Sequence, residues 1–180
     1  FGTKDGLNRY DGYSFKIYKA NLYDSTSIGD NHISYLYEDD LHHLWISTQL
    51  GGLFLFDRTR NAFINYNQGD LQAGIDQIVS ITGNSKTGIW LSTLDGNIFK
   101  LSIQNPQADQ LPKVNIVKVL DKTSIGAPRA ESIRMDSRRT LWILTGKGLC
   151  FYNIDQKKIS RPAEKFKIYR FDKASRSKVS

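Results

Sequence analysis

The apolar residues of this chain fall into short runs separated by polar turns, with the length and spacing of β-strands. These runs are rich in Ile, Val, Tyr, Phe and Trp, which are typical of strands, and Gly, Asn, Asp or charged residues separate them. Apart from "PAEKFK" near the C-terminal end, no window combines a helical period with a cap. The pattern therefore predicts an all-β chain, and between 33 and 66 it predicts four strands, at 33–38, 43–48, 53–56 and 63–66.

The strand pattern repeats along the chain. Three tryptophans stand in the similar segments "LWIST", "IWLST" and "LWILT", each followed three positions later by Thr and three further on by Gly. "FGTKDG" at the start has the same Thr and Gly spacing without the tryptophan, and the four threonines lie 45, 45 and 52 residues apart. The larger step is explained by a Pro-containing stretch, 102–113, which predicts a longer loop. The repeated residues are Trp45, Trp90 and Trp142, with Thr3, Thr48, Thr93 and Thr145.

Four strands per unit at a period of 40 to 50 residues indicate β-propeller blades. The fold prediction is an all-β, β-propeller fragment of about three and a half four-stranded blades. Closed propellers need about four to eight blades, so open edges and apolar blade faces predict that the isolated chain self-associates. The predicted division is 1–18 for the last two strands of a blade, 33–66, 78–119 and 130–171 for three blades, the last closed by "FKIY" at 166–169, and 172–180 for a tail.

The repeated tryptophan and glycines have structural explanations. A tryptophan on the second strand of each blade can fill the space between neighbouring blades, burying about 150 to 250 Å². The glycines after the threonine suit the turn into the third strand, where a positive φ is needed. A phosphate-binding loop at "QLGG" is disfavoured, because no helix follows whose N-terminus could hold the anion.

The net charge of +7 does not indicate a nucleic-acid surface. Nine basic and two acidic residues lie from position 157 onward, which leaves sixteen of each in residues 1–156. A DNA-binding module carries its basic residues on the folded surface. No apolar run reaches the roughly 18 residues of a membrane span, and the single cysteine, Cys150, excludes an internal disulfide. The sequence thus predicts no nucleic-acid or membrane contact by this segment.

Three segments of the chain closely resemble the two-component regulator propeller repeats, which form the sensor regions of hybrid two-component histidine kinases. They are "GLNRYDG" at 6–12, "DSTSIGDNHI" at 24–33 and the pattern "I..L.ED....LWIST..GGL..FD" at 33–57. The chain departs from the repeat where glycines are usual: it has His42 two positions before the Leu-Trp pair, and Ser47, Ser92 and Leu144 two positions after the tryptophans.

The resemblance implies a periplasmic sensor segment of an inner-membrane-anchored hybrid histidine kinase, which detects oligosaccharides and controls glycan-utilisation genes. It implies an oligosaccharide ligand, the remaining blades of a parent propeller and homodimerisation of that parent. It implies no cofactor and no catalysis by this segment. Two alternatives stay open: a propeller enzyme of the lyase or glycosidase type, and an architectural segment that mediates protein–protein contacts.

Ligand-binding candidates come from the loops on one face of a propeller, which join strand four to the next strand one and strand two to strand three. These loops are 23–32, 67–77 and 121–129, with three short turns. Sugar sites combine aromatic stacking with planar polar side chains. The candidates are Tyr23, Asn31, His32, Gln49, Asp95, Arg129 and Lys147.

The sequence predicts no catalytic residue and no metal site. His42 and His43 adjoin three acidic residues, but neighbouring side chains on a strand point to opposite faces and do not readily share a metal. A polar hairpin turn explains this segment better. Cys150 has no evident histidine partner, and no serine sits in a glycine elbow.

Overall fold

Four antiparallel sheets make up the protein in a computed structural model, which describes residues 1–66, 75, 77–104 and 112–161. The first sheet has three strands and the other three have four strands each, in meander order. The first contains β1 (Gly2–Thr3), β2 (Gly6–Tyr10) and β3 (Phe15–Tyr18). The second contains β4 (Ile33–Glu38), β5 (Leu44–Thr48), β6 (Gly52–Asp57) and β7 (Ala62–Asn65).

The third and fourth sheets repeat the second. The third contains β8 (Ile78–Asn84), β9 (Gly88–Thr93), β10 (Ile98–Gln104) and β11 (Lys113–Leu120). The fourth contains β12 (Ala130–Met135), β13 (Thr140–Thr145), β14 (Gly148–Asn153) and β15 (Lys158–Ser160), and one short helix, α1 (Lys122–Ile125), precedes it. The predicted all-β propeller fragment of four-stranded blades is confirmed.

Neighbouring blades pack face to face through three apolar cores. The first strands of the three complete blades lie side by side, with β4 against β8 and β8 against β12. One core lies between each pair of consecutive sheets, and each draws residues from both. Trp45 and Trp90 are fully buried in the second and third of these cores, so both fill the space between blades as predicted.

Trp142 differs from the other two tryptophans. It lies on the face of the fourth sheet that points away from the third, where no further sheet of the described residues packs. Its side chain is 39% exposed and meets Phe151 edge-on, with ring centroids 4.5 Å apart. Trp142 therefore holds the same second-strand position as Trp45 and Trp90, but no sheet among the described residues covers it, in keeping with the open blade face predicted for a propeller fragment.

Polar side chains also connect neighbouring blades. The Ser47 hydroxyl donates to the Ile78 carbonyl at 3.3 Å. The Ser80 hydroxyl both donates to the Ile133 carbonyl at 3.3 Å and accepts from the Ile133 N–H at 3.2 Å. Because these groups are buried, their hydrogen bonds fix the relative height of neighbouring blades as well as satisfying the strand backbone.

The repeated threonine organises the turn between strands two and three. The Thr145 hydroxyl donates to the Gly148 carbonyl at 2.8 Å and accepts from the Lys147 N–H at 3.2 Å. Thr3 makes the equivalent pair of bonds to Gly6 and Asp5, at 2.8 and 3.1 Å. The Thr-x-x-Gly spacing thus stabilises a side-chain-closed turn, in which Gly148 has a φ of 135° that favours glycine.

Three local predictions need correction. Residues 122–125 form a helix that the sequence did not predict, with Asp121 as its N-cap and Gly126 as its left-handed C-cap. The fourth strand of the last blade is β15, at 158–160, while "FKIY" at 166–169 and the tail 172–180 lie outside the described residues. Strands β10 and β11 extend into both ends of the stretch predicted as a loop, 102–113.

Candidate ligand-binding face

The loops that enter the first strands meet the turns that leave the second strands, and together they form one face of the protein, called the loop face below. The Gln49 N–H donates to the His32 carbonyl at 2.9 Å, and the Leu94 N–H donates to the Gln77 carbonyl at 3.0 Å. In the first sheet, the Gly6 N–H donates to the Asn31 carbonyl at 2.9 Å. These backbone bonds hold the loops rigidly against the blades that present them.

One planar polar residue stands directly before the first strand of each complete blade. His32, Gln77 and Arg129 occupy this equivalent position, ahead of β4, β8 and β12. Gln77 and Arg129 are exposed and His32 is half-buried. Gln77 has a φ of 52°, a left-handed conformation that is uncommon for residues other than glycine and often marks a functional position. The repeat therefore places three hydrogen-bonding side chains, of three different kinds, around the loop face.

Each first strand contains a β-bulge just inside the loop face. The pairing shifts by one residue between Ile33 and Tyr35, and equivalent shifts occur in β8 and β12. The residues left unpaired are Ser34, Val79 and Glu131. Bulges are frequent next to binding sites because they redirect a side chain without breaking the sheet. In β12 the bulge brings Glu131 within 3.9 Å of the Arg129 guanidinium.

Tyr23 and Asn31 differ in how free they are to meet a ligand. The Tyr23 side chain is fully exposed at the outer part of its loop. The Asn31 side-chain oxygen accepts from the Ala20 N–H at 2.7 Å, and its carbonyl accepts from Gly6, so Asn31 connects the first two blades. The structure thus gives Asn31 a structural role, whereas Tyr23 is available for stacking.

The three turn candidates lie on the same face. Gln49 and Lys147 are exposed, and Lys147 follows Gly146, whose position faces Glu131. Asp95 accepts from the Thr93 hydroxyl and from the Asn97 side-chain amide, the latter at 2.6 Å, so its carboxylate closes its own turn. The neighbouring Gly96 lies against the Pro128 carbonyl. Asp95 and Arg129 therefore belong to adjoining segments of the loop face.

Two acidic groups on the loop face are held ionised by local hydrogen bonds. The Thr123 hydroxyl, with the Ser124 N–H and hydroxyl, lowers the pKa of Asp121 far below its ordinary value. The Thr26 hydroxyl and N–H lower the pKa of Asp24 in the same way. In each carboxylate, Oδ1 accepts the hydrogen bonds that organise the loop. Lys122 follows Asp121 directly, and the Arg161 guanidinium donates to the Ser124 carbonyl of the same helix at 2.8 Å.

Two residues of this face are not among the candidates predicted from the sequence. Gln77 lies in the same position as His32 and Arg129, and Glu131 lies at the bulge beside Arg129. The sequence does contain a feature that identifies Gln77. His32, Gln77 and Arg129 each lie sixteen residues before the repeated threonine of their own blade.

On the opposite face, the two neighbouring histidines serve the hairpin turn between β4 and β5. The His43 ring contacts the buried Asp39 carboxylate at 3.0 Å, and the exposed His42 ring lies 3.4 Å from Glu38. Over the residues that the structure describes, no group of three or more His, Cys, Asp or Glu side chains could hold a metal ion. The part of the chain that the structure describes contains no helix that could span a bilayer.

Comparisons with solved structures show which known proteins this architecture is similar to. The chain is similar to the extracellular domain of BT3049 from B. thetaiotaomicron, described as a hybrid two component system, with a TM-score of 0.71 and 21% identity over 88% of this chain. It is similar to the extracellular domain of BT4673 from the same organism, with a TM-score of 0.67 and 21% identity over 90%. The Dos1 propeller matches with a TM-score of 0.51 and 13% identity over 80%.

These similarities establish the propeller fold. The chain spans 20% and 23% of the two B. thetaiotaomicron domains and 38% of the Dos1 propeller. A separate match of 27 residues, 67% identical, joins 15% of this chain to 2% of "Histidine kinase P4" from Formosa agariphila. No protein family model matches the chain.

Proposed function

We propose that this chain is an extracytoplasmic ligand-recognition segment of a hybrid two-component histidine kinase and that it detects oligosaccharides through its loop face. The observation that carries this proposal is the match of the whole blade arrangement to the extracellular domain of a hybrid two component system, over 88% of the chain. The short match to a histidine kinase supports the same class of protein.

The composition of the loop face supports a carbohydrate ligand. Sugars present hydroxyl groups and apolar ring faces, so they bind to planar hydrogen-bonding side chains and exposed aromatic rings. His32, Gln77 and Arg129 supply the first kind of group, and the exposed Tyr23 supplies the second. Each of the three planar side chains comes from a different blade, so a ligand longer than one sugar unit can contact several blades together.

A sensor of this kind binds and releases its ligand unchanged. Its partners in the proposal are the oligosaccharide, the further blades of a parent propeller and a second copy of the parent protein. Its location is the periplasm, as part of an inner-membrane-anchored protein, and its output is the control of glycan-utilisation genes. Contact with nucleic acid or with the membrane lies outside this segment's role.

Isothermal titration calorimetry against a panel of oligosaccharides tests the proposal. We expect saturable binding of at least one oligosaccharide and no product when the mixture is analysed by chromatography. Arg129→Ala should weaken that binding by at least about tenfold, since a lost hydrogen bond to a charged group is worth about 1.5 to 3 kcal/mol and 1.4 kcal/mol is a factor of ten. Arg138→Ala, which removes an exposed arginine from the opposite face, is the matched control and should bind as the parent does.

The outcomes separate the proposed class from its alternatives. If the Arg129→Ala and Arg138→Ala variants bind the oligosaccharide equally strongly, the loop face is not the binding site. Turnover of the oligosaccharide would support a propeller enzyme, and failure of every sugar in the panel would reject the ligand.

A further inference from the structure

The fourth blade carries a guanidinium and a carboxylate side by side on the loop face, at the start of β12. The Arg129 guanidinium lies 3.9 Å from the Glu131 carboxylate, and the two side chains are 53% and 44% exposed. Because this distance is longer than a hydrogen bond and both groups are about half exposed, neither is committed to the other. Donors and acceptors therefore face a molecule that lies against this part of the loop face.

A glycine leaves the Glu131 carboxylate open on one side. Gly146 directly follows the repeated Thr145, and a Cβ atom at Gly146 would lie 3.4 Å from Glu131 Oε1. Gly146 does not have a positive φ, so the conformation of the turn does not itself require glycine. The other sheets have a side chain at the position after the threonine: Lys4, Gln49 and Leu94. The fourth blade therefore has a gap beside its carboxylate where the others have a side chain.

The other two complete blades hold different residues at the three equivalent positions, which are the residue before the first strand, the bulge residue and the residue after the threonine. The Gln49 and Leu94 N–H groups donate to the carbonyls of His32 and Gln77, so the first and third of these positions adjoin in both blades. The residues are His32, Ser34 and Gln49 in the second blade, and Gln77, Val79 and Leu94 in the third. Neither set contains a carboxylate or a glycine. The combination of guanidinium, carboxylate and gap thus belongs to the fourth blade and not to the repeat.

This combination suits an uncharged sugar unit. A carboxylate only accepts hydrogen bonds and a guanidinium only donates them, whereas each sugar hydroxyl does both. Two adjacent hydroxyls can therefore donate to Glu131 while one of them accepts from Arg129, and hydrogen bonds to charged groups are about twice as strong as neutral ones. An acidic sugar in the same gap would bring its own carboxylate against Glu131, and like charges that meet in a binding site oppose binding.

We propose that Arg129, Glu131 and Gly146 form a subsite for one uncharged sugar unit that presents two adjacent hydroxyl groups. Glu131 determines the preference of this subsite for uncharged over acidic sugars, and the gap at Gly146 admits the edge of the ring. The inference rests on the function proposed above and assigns a ligand class to one part of its binding face.

NMR titration of the full chain with single-sugar probes tests the subsite. The probes are the methyl glycosides of glucose, galactose and mannose, each compared with its uronic acid counterpart, which has a carboxylate in place of the hydroxymethyl group. We expect at least one neutral glycoside to shift the amide signals of Arg129, Glu131 and Gly146 in a saturable manner. Its uronic acid counterpart should bind at least about tenfold more weakly, because of the repulsion from Glu131.

Two substitutions separate recognition from a structural effect. Glu131→Gln keeps the shape of the side chain and removes its charge, so it should weaken the neutral glycoside by about fivefold and bring the affinities for the neutral and acidic glycosides closer together. Gly146→Gln fills the gap and should weaken both. Asp155→Asn removes an exposed carboxylate that lies 3.1 Å from the Arg139 guanidinium on the opposite face, and this matched control should bind as the parent does.

The outcomes distinguish this subsite from the function on which it rests. Shift changes confined to other parts of the loop face, an unchanged ratio of the two affinities in Glu131→Gln, or no binding of any neutral glycoside would each overturn the subsite. An oligosaccharide that binds the parent and Glu131→Gln equally in calorimetry would overturn it and leave the proposed function in place. Failure of every oligosaccharide in calorimetry would reject both.

Discussion

The indole N–H of Trp45 donates to the Asp39 carboxylate at 3.0 Å. Asp39 directly follows β4 and Trp45 lies on β5, six positions later in the sequence. Asp39 is buried and also accepts from the His43 N–H and the Leu41 N–H, both at 2.9 Å, and contacts the His43 ring. One side chain therefore closes the hairpin turn and positions the ring that fills the space between two blades.

The same pair occurs in the fourth sheet and is broken in the third. The Trp142 indole donates to Asp136 at 2.9 Å, whereas the third sheet has Asn84 at this position. The Asn84 side-chain oxygen accepts from the Thr87 N–H and hydroxyl, and the buried Trp90 N–H has no hydrogen-bond partner. The three blades thus provide a natural comparison of the aspartate and asparagine forms of one turn.

Asp39→Asn should destabilise the protein by about 1 to 3 kcal/mol, because an amide N–H₂ would replace the oxygen that accepts from Trp45 and would leave buried donors without an acceptor. Urea denaturation followed by circular dichroism measures the loss. Asp5→Asn, which removes one partner of an exposed ion pair with Lys19, should cost no more than about 1 kcal/mol. An equal effect of the two substitutions would contradict the role given to Asp39.

Asn84→Asp should have the opposite sign. A carboxylate keeps one oxygen for Thr87 and offers the second to the Trp90 N–H, which gains a hydrogen bond worth about 1 kcal/mol. The same denaturation experiment should therefore show a higher urea midpoint with an unchanged slope. A lower midpoint would mean that burying the carboxylate charge destabilises the protein by more than the new hydrogen bond stabilises it.

Two buried serines should respond differently to alanine. Ser80 donates to and accepts from Ile133 of the next blade, so Ser80→Ala leaves a buried N–H and carbonyl with fewer partners and should cost about 1 to 3 kcal/mol. The Ser92 hydroxyl is buried with no hydrogen-bond partner, so Ser92→Ala should be neutral or stabilising. Thermal unfolding of the two variants side by side tests both, and a costly Ser92→Ala would contradict the description of that site.

The Asp136 turn should make stability depend on acid pH. The hydrogen bond from Trp142, followed by that from the Thr140 N–H, lowers the pKa of Asp136 below its ordinary value of 3.8. A lowered pKa contributes stability that is fully present above the unfolded-state value and is lost as the pH falls through the folded-state value. Trp142→Phe should therefore raise the pKa of Asp136, measured by carbon NMR of the carboxyl group.

The pH dependence has a matched control in the third sheet. The stability difference between the parent and Trp142→Phe should be largest above about pH 4 and should shrink at lower pH. Trp90→Phe removes the tryptophan of the turn that has Asn84 in place of the aspartate. Because an asparagine side chain does not titrate, the stability difference between the parent and Trp90→Phe should not shrink at lower pH on this account. Identical pH profiles for the two substitutions would contradict the assignment.

The repeat could be predicted from the sequence because it is defined by residue types that have few structural roles. Tryptophan and threonine at fixed spacing indicated the second strand, and the glycine indicated the turn into the third. Tryptophan and threonine lie on the second strand of each complete blade, Gly51 and Gly96 lie in the turn, and Gly148 begins β14. The helix α1 escaped prediction because four residues are too few to show a helical period, and its aspartate cap looks like any polar turn residue. The exposure of Trp142 depends on which sheet covers it, which local sequence does not encode.

The candidate site was harder to predict than the fold. The loops differ in length and composition between blades, so the equivalence of His32, Gln77 and Arg129 is seen in the sequence only by counting back from the repeated threonine, and strand pairing confirms it. The sequence also could not show that Asn31 and Asp95 hydrogen-bond to neighbouring parts of the protein. The same polar side chains are equally suited to hydrogen-bond to a sugar.

Amide NMR of the full chain during titration with an oligosaccharide that binds would locate the ligand on the protein. We expect the largest shift changes on the loop face, at His32, Gln77 and Arg129 and the turns beside them. Changes concentrated on the opposite face, around Asp40 and Ser85, or an unchanged spectrum with every oligosaccharide in the panel, would contradict it.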